Sequence, residues 1–416
     1  MSLGRFNGPA IVVAVVAVLA VTFGHLLGPF DFLTFLHAGK QVLEGRSPYP
    51  GVDSPVFRSG HGFVYPLFVA WMFAPLALVP RIPAEVIYGV GSVAAIVVSS
   101  RMLGRRDFSA AALVLVCSTT IIGLQMGTVN AFLLLGLAAS WHWRASRPVL
   151  SGLLLGVTAA AKLFLLPVLA WPLLMRRWST TTAAAGTVAA LILAGGLFGT
   201  VTPIRYFHLL SQLQANEQVS SWSLSSLFQS VGLPRTAASV AAVAVVAACL
   251  VVLWRRRRLL RDGQVLGAMV VGSLLMSPIV WSSYLLLLAV PLLLVDRHDR
   301  LLAVAAAASW LVVTPDAASG LRVGVGAVLA LAVAYLAARG HLGGVARTLR
   351  DQPRYLGSLI GAGAVAGVAI LVLPGPVRSP LPALAAMALV GLRCVRRERS
   401  GPGPLAPPGT VAADAY

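Results

Sequence analysis

Long apolar runs separated by short polar or basic breaks dominate the chain. Clear runs lie near 9–28, 84–101, 108–124, 127–143, 181–199, 236–254, 264–281, 322–338 and 356–373. A helix needs about 20 apolar residues to cross ~30 Å of hydrocarbon. Shorter or crowded runs lie at 149–163, 164–175, 284–295, 301–315 and 381–394. The pattern predicts an all-α polytopic transmembrane helix bundle of about 12–14 membrane segments, since a bilayer-spanning helix satisfies its own backbone. The segment 65–80 is apolar but bracketed and interrupted by proline. It is expected to dip into the membrane without crossing. The run from Pro9 to Gly28 has no small-residue cleavage site and reads as a retained first span. No repeat with a period of 20 to 50 residues is evident. Residues 1–399 read as a single membrane domain, and the Pro/Gly/Ala-rich stretch 400–416 as a disordered cytoplasmic tail.

Charge gives this pattern a direction. Only 11% of the residues are charged and mean hydropathy is +0.86, whereas a soluble domain carries about 25% charged residues. The 32 Lys+Arg outnumber the 13 Asp+Glu, for a net charge of +19. With so few charges in so apolar a chain, no basic nucleic-acid groove is expected. Cytoplasmic loops are the better place for the excess. With both termini cytoplasmic and 65–80 not crossing, 23 of the 32 basic residues fall in cytoplasmic loops. The run Arg255 to Arg258 is the densest of these. A fully crossing 65–80 would invert everything from Arg101 onward. Two long polar loops, 29–64 and 200–235, are then extracytoplasmic. Cys117, Cys249 and Cys394 show neither metal spacing nor a disulfide framework.

On that outer side the expected acids are Asp31, Glu44, Asp53, Glu85, Glu217 and Asp316. Asp31 stands at the mouth of the first span among apolar neighbours, where a carboxylate is costly unless it is solvated, paired or functional. It opens an amphipathic stretch, 31–45, with Phe32, Phe35, Leu36 and Leu43 on one side and Lys40, Gln41 and Glu44 on another. That reads as an interfacial helix with Asp31 as its N-cap, a role compatible with chemistry. Lys162 is the only lysine besides Lys40, against 30 arginines, and ends an apolar helix at the outer level. It is either a phosphate-binding cation or a snorkelling side chain. Arg58 and His61 precede the membrane dip and suit a phosphate or a plain solvated loop. Gln125 and Asn130 share one outer turn. Trp222 suits a sugar face or an interfacial anchor, and Trp281 and Tyr284 are ambiguous in the same way.

Several strings then resemble one family in order. Asp31 to Gly45 with Pro48-Tyr49, Tyr65-Pro66, and Ala74 to Pro80 resemble the start of glycosyltransferase family 87. Gly127-Thr-Val-Asn130 resembles its Gly-Gln-x-Asn, with Thr128 in place of glutamine. Gly152-Leu-Leu-Leu-Gly156 through Lys162 resembles its Gly-x-x-x-Gly helix ending in lysine. Ser277-Pro278-Ile-Val-Trp281 resembles its Ser-Pro-x-x-Trp, with Ser282, Ser283 and Tyr284 where histidines are frequent. Phe35 replaces a frequent tyrosine, and Ser221-Trp222-Ser223 an Asn-Gln-Ser type sequence.

The resemblance covers about residues 10–295 and implies a GT-C fold. It also implies a polyprenol-phosphate-sugar donor, mannose or arabinose, and a lipid or glycan acceptor on the extracytoplasmic face of the cell membrane. Such transfer needs a base for the acceptor proton and cations for the leaving phosphate. Asp31 is the expected base, its burial raising its pKa. Lys162, Arg58 and His61 are the expected phosphate ligands. Lys40, Gln125, Asn130, Trp222, Trp281 and Tyr284 are the expected substrate contacts. No cofactor or metal is expected. The alternative is a secondary transporter or lipid flippase, which usually shows mid-helix ionisable residues and a duplicated hydropathy pattern; neither is visible here.

Overall fold

A computed structural model describes residues 8–23, 30–51, 62–105, 108–198, 202–217, 221–295, 300–315, 319–338 and 381–395. Among them the regular elements are eighteen α-helices and three 3₁₀ segments, with no strand. The all-α polytopic bundle is therefore as the hydropathy pattern predicts. The spans are less uniform than that pattern. Three helices are long and apolar enough to cross a membrane: Arg81–Met102, Trp178–Leu197 and Arg235–Leu259. One further pair, Ser109–Val116 and Ser118–Met126, is bent by 70°. Nine other apolar helical segments run only 10–17 residues.

The breaks have local causes. Helix α5 (Ser109–Val116) ends because Cys117 is extended, at φ −61° and ψ 130°, and α6 (Ser118–Met126) restarts at once. Ser118 is held in the break by the Ser309 hydroxyl at 2.9 Å, and Trp310 donates to the freed carbonyl of Val116 at 2.9 Å. The backbone opened by the bend is thereby satisfied, as a membrane interior requires.

Two apolar hairpins organise the centre. In the first, α8 (Pro148–Ala161) runs to Lys162, whose backbone is extended at φ −144° and ψ 97°. A 3₁₀ segment (Leu163–Leu169) and α9 (Ala170–Leu174) then bring the chain back. Arg177, past the end of the hairpin, donates to the carbonyl of Arg144, just before its start, at 2.9 Å. Lys162 is thus the tip. In the second, α14 (Asp262–Met276) leads to the break at Ser277–Trp281. A 3₁₀ segment (Ser282–Leu288) and α15 (Ala289–Val295) return. Pro278 explains that break, because the residue before proline is pushed out of helical geometry, and Ser277 is extended. The two units share a shape without sharing a sequence period.

Packing then fixes their positions. Helix α14 is buried on nearly every side, as befits the centre of a bundle. Helix α8 lies tightly on α10 (Trp178–Phe198) because Gly152 and Gly156 present no side chains there. A Cβ at Gly152 would sit 2.4 Å from the Thr180 carbonyl, and one at Gly156 2.7 Å from that of Ala184. This small-residue seam supplies close contact where lipid offers no hydrophobic drive.

The remaining elements frame one end. Helix α2 (Phe30–Leu43) packs on α3 (Leu67–Ala77). Eleven residues of α3 span only ~16 Å, about half the thickness of the hydrocarbon core. The buried face of α2 is Phe32, Phe35, Ala38, Gly39 and Val42. Leu36 is half-buried, and Leu43, expected on the apolar side, is exposed at the last residue of the helix. Helix α1 (Gly8–Phe23) lies against α5. The domain boundary at 399 and the tail 400–416 lie outside the described residues.

Candidate active site

The site assembles where the hairpin tips meet the turn between α6 and α7 (Asn130–Trp143). Gly127 makes that turn. It ends α6 in the left-handed region at φ +67°, which glycine adopts at no steric cost. Asn130 follows, fully buried, at the start of α7. Its amide nitrogen donates to the Ser283 hydroxyl at 3.1 Å. Its oxygen accepts from Lys162 Nζ at 3.2 Å. Three separate stretches of sequence are thereby locked together: the turn at 127–130 and the two hairpins.

Lys162 is buried and its ammonium sits in an aromatic box. The Tyr284 ring centroid is 3.6 Å from Nζ, Tyr65 is at 5.5 Å and Phe164 at 5.8 Å. A cation within about 6 Å of a ring face is held by the ring quadrupole. Phe164 stacks on Tyr284 with centroids 5.1 Å apart, so the two tips also pack face to face beneath the charge. The lysine does not snorkel; it points into the bundle end and engages specific partners.

Asp31 faces this charge. It lies in the first turn of α2 rather than at the cap position expected for it, and there still complements the helix dipole. Its carboxylate is within electrostatic reach of Lys162, Tyr65, Tyr88 and Tyr284. Burial pushes the carboxyl up to about 6, while the Lys162 charge pulls in the other direction. The helix is anchored by Phe32, stacked on Tyr88 at 4.6 Å, and by Phe35, stacked on Phe73 at 4.6 Å and edge-on to Tyr65 at 4.9 Å. Tyr88 in turn donates to the carbonyl of Thr128 at 2.9 Å. Asp31 is therefore tied through aromatic packing to the same turn that holds Asn130.

The other expected contacts divide. Tyr284 and Asn130 are in the cluster. Gln125 is buried in the last turn of α6, close in sequence to the turn. Trp222 is half-buried, and its backbone N–H donates to Val280 at 2.8 Å. Ser221 binds the same strip, accepting from the Val280 N–H at 2.8 Å, and Ser223 caps α12 (Leu224–Ser230). Loop 221–223 thus docks on the second hairpin tip. Trp281 is 37% exposed at that tip and takes no part in the box. Lys40 is not brought in: it is exposed and pairs with Glu44 at 4.0 Å, nine residues along α2 from Asp31, or ~13 Å. Arg58 and His61 lie outside the described residues, as does Asp53.

A match to a model of glycosyltransferase family 87 over residues 63–278, just over half of the chain, decides the family. The chain belongs to glycosyltransferase family 87. It is accordingly a membrane glycosyltransferase of the GT-C-like kind. No curated protein and no solved structure gives a significant match. The family match takes in Tyr65, Asn130 and Lys162 and stops at Pro278. Asp31 and Tyr284 lie on either side of the matched stretch.

Sequence reasoning missed Ser283 as a partner for Asn130, and Tyr65 and Phe164 as walls of the lysine site. Ser and aromatic residues are too common near membrane surfaces to signal this. It also passed over Asp262, which sits at the opposite end of the bundle. Asp262 accepts from Trp171 Nε1 at 2.7 Å, Arg144 Nε at 2.9 Å and an Arg177 guanidinium nitrogen at 2.7 Å. Arg144 also lies 3.4 Å above the Trp141 ring.

Proposed function

We propose that this glycosyltransferase moves a sugar, mannose or arabinose, from a polyprenol-phosphate donor to a hydroxyl of a lipid or glycan. The reaction inverts the anomeric centre and takes place on the extracytoplasmic face of the cell membrane. The observation that carries this reading is the opposition of Asp31 and Lys162 in one buried, aromatic-lined end of the bundle. Asp31 takes the acceptor's hydroxyl proton as that oxygen bonds to the sugar's anomeric carbon. The bond from that carbon to the phosphate oxygen breaks, and the phosphate leaves with the electron pair. Lys162 stabilises the charge that develops there, where water is excluded and such stabilisation is largest.

Lys162 has three N–H donors and, among the described residues, one hydrogen bond, to Asn130. Capacity remains for a phosphate oxygen. Charge supports this sidedness: Arg144, Arg147, Arg176 and Arg177 stand at the end opposite to the site, the end the positive-inside rule favours for the cytoplasm. The test is to incubate purified protein with radiolabelled polyprenol-phosphate mannose or arabinose and a membrane lipid extract. Label should pass to a lipid or glycan product with wild type and not with Asp31→Asn. Absence of product from both donors would overturn the reading.

A further inference from the structure

A cleft of about 570 Å³ runs along the exposed side of α2, walled by the turn at 47–51 and by Gly62 and Phe63. From α2 it takes Phe30, Leu33, Thr34, His37 and Gln41, spacings that place these residues on one helical face. The face starts beside Asp31 and extends ~16 Å along the helix. Its volume lies within the range of small-molecule sites, about 300–1,000 Å³.

The lining has a consistent chemistry. None of its described residues is Asp, Glu, Lys or Arg. Thr34, His37 and Gln41 form a ladder of hydrogen-bonding groups, and His37 and Gln41 are already paired at 3.1 Å. Across from them stand the rings of Tyr49 and Phe63, 5.6 Å apart. Tyr49 is fixed by donating to the carbonyl of Tyr65 at 3.1 Å, so the cleft wall is built onto the aromatic box of Lys162. Polar rungs facing aromatic rings, with no fixed charge among the described lining residues, fit a neutral polyhydroxylated ring. Among the described lining residues a phosphate meets no Lys or Arg, and an acyl chain would lie against polar rungs rather than an apolar wall.

We infer that this cleft is a neutral saccharide subsite, holding the glycan part of the acceptor so that its hydroxyl is delivered to the Asp31 end of α2. Its catalytic consequence rests on the transfer reading above; the binding itself does not. Gly51 lines the cleft, and a Cβ there meets nothing within 4 Å, so Gly51→Trp plugs the space without displacing packed atoms. Gln41→Leu is the second variant, removing one rung.

The experiment is saturation-transfer NMR on the full-length protein in nanodiscs, with a neutral trimannoside and a neutral triarabinofuranoside as probes. At least one probe should show transfer from wild type that Gly51→Trp abolishes, while Gln41→Leu weakens it about fivefold. Inositol 1-phosphate should not compete. Binding of neither probe, binding that survives the plug, or equal competition by inositol 1-phosphate would each overturn the subsite. Kinetics separate it from the transfer reading. If sugar transfer occurs and Gly51→Trp leaves the acceptor KM as in wild type, the subsite falls and transfer stands. If the probe binds and is displaced by the plug but no donor is turned over, the subsite stands and the transfer reading falls.

Discussion

At one end of the bundle Asp262 accepts three hydrogen bonds, from Trp171, Arg144 and Arg177. At the other, Lys162 gives one to Asn130 and rests on the ring of Tyr284. Both clusters join segments distant in sequence, and both use an ion with aromatic neighbours. They differ in saturation. The Asp262 carboxylate takes three donors, two of them from arginines that balance its charge, so it clasps α7, α9, α10 and α14 together. The Lys162 end is stabilised by softer contacts, with an acid facing it that burial has pushed toward neutrality. A closed ion cluster stabilises a fold; an open one leaves charge for a reaction.

Substitutions at the two ends should therefore fail in different ways. The largest effect is expected from Asp31→Asn, which keeps the volume of the side chain. Turnover should drop by ~10²–10⁴, the usual worth of a general base, with an unchanged melting temperature and retained donor binding. Near-normal turnover would remove Asp31 from the chemistry and shift attention to other acids of the same face. Lys162→Met should weaken donor binding by ~10–150-fold, the worth of a charge-assisted contact. Equilibrium binding of a polyprenol-phosphate sugar reads this directly, and unchanged affinity would make the lysine structural.

Asp262→Ala inverts the pattern. It leaves Arg144 and Arg177 facing each other without their shared anion, and should lower stability by about 2–3 kcal/mol. Because the cluster is partly exposed, the loss belongs below the full buried value. Thermal unfolding in detergent measures it, and the donor KM should not follow. A large rise in donor KM with an unchanged melting temperature would break the comparison.

The smaller effects sharpen the open end. Asp31 must be ionised to accept a proton, and its carboxyl titrates at about 6. Transfer should therefore hold above that pH and decline as pH falls through it, by ~10-fold per unit on the acid limb. A flat kcat/KM between pH 5 and pH 7 would contradict a base of that kind. Ser283→Ala removes only the hydroxyl that fixes Asn130 and should weaken donor binding about two- to fivefold. Restoration by Ser283→Thr would mark it as a positioning contact.

Much of this was legible in the chain because its signals were rare. One of two lysines among thirty arginines is conspicuous, and so is an acid at the mouth of an apolar run. The all-α bundle followed from run lengths alone. Lys40 misled because rarity says nothing of direction: it is on the solvent side of α2 and meets its own Glu44 one turn on. Asp262 was invisible for the opposite reason. It follows a basic run, Arg255 to Arg258 and Arg261, and nothing local shows that its partners arrive from residues 144, 171 and 177. The hairpins were hidden as well. Periodicity sees 149–163 and 164–175 as two short spans, and only the extended backbone at Lys162 shows them to be two arms of one fold-back.

That fold-back has a consequence for how the protein enters its membrane. To the insertion machinery, residues 148–174 arrive as a single apolar stretch, long enough to be threaded across as one helix. Doing so would place Lys162 in mid-bilayer, at ~2.5–3.5 kcal/mol on insertion scales. It would also reverse the orientation of everything synthesised afterwards. The arginines at 144, 147, 176 and 177 flank the stretch on both sides, and the positive-inside rule disfavours moving either pair across. On the proposed topology the lysine at the bend is a topogenic mark as well as the proposed phosphate ligand. The residue proposed to meet an anion would then also disfavour threading this stretch across as one span.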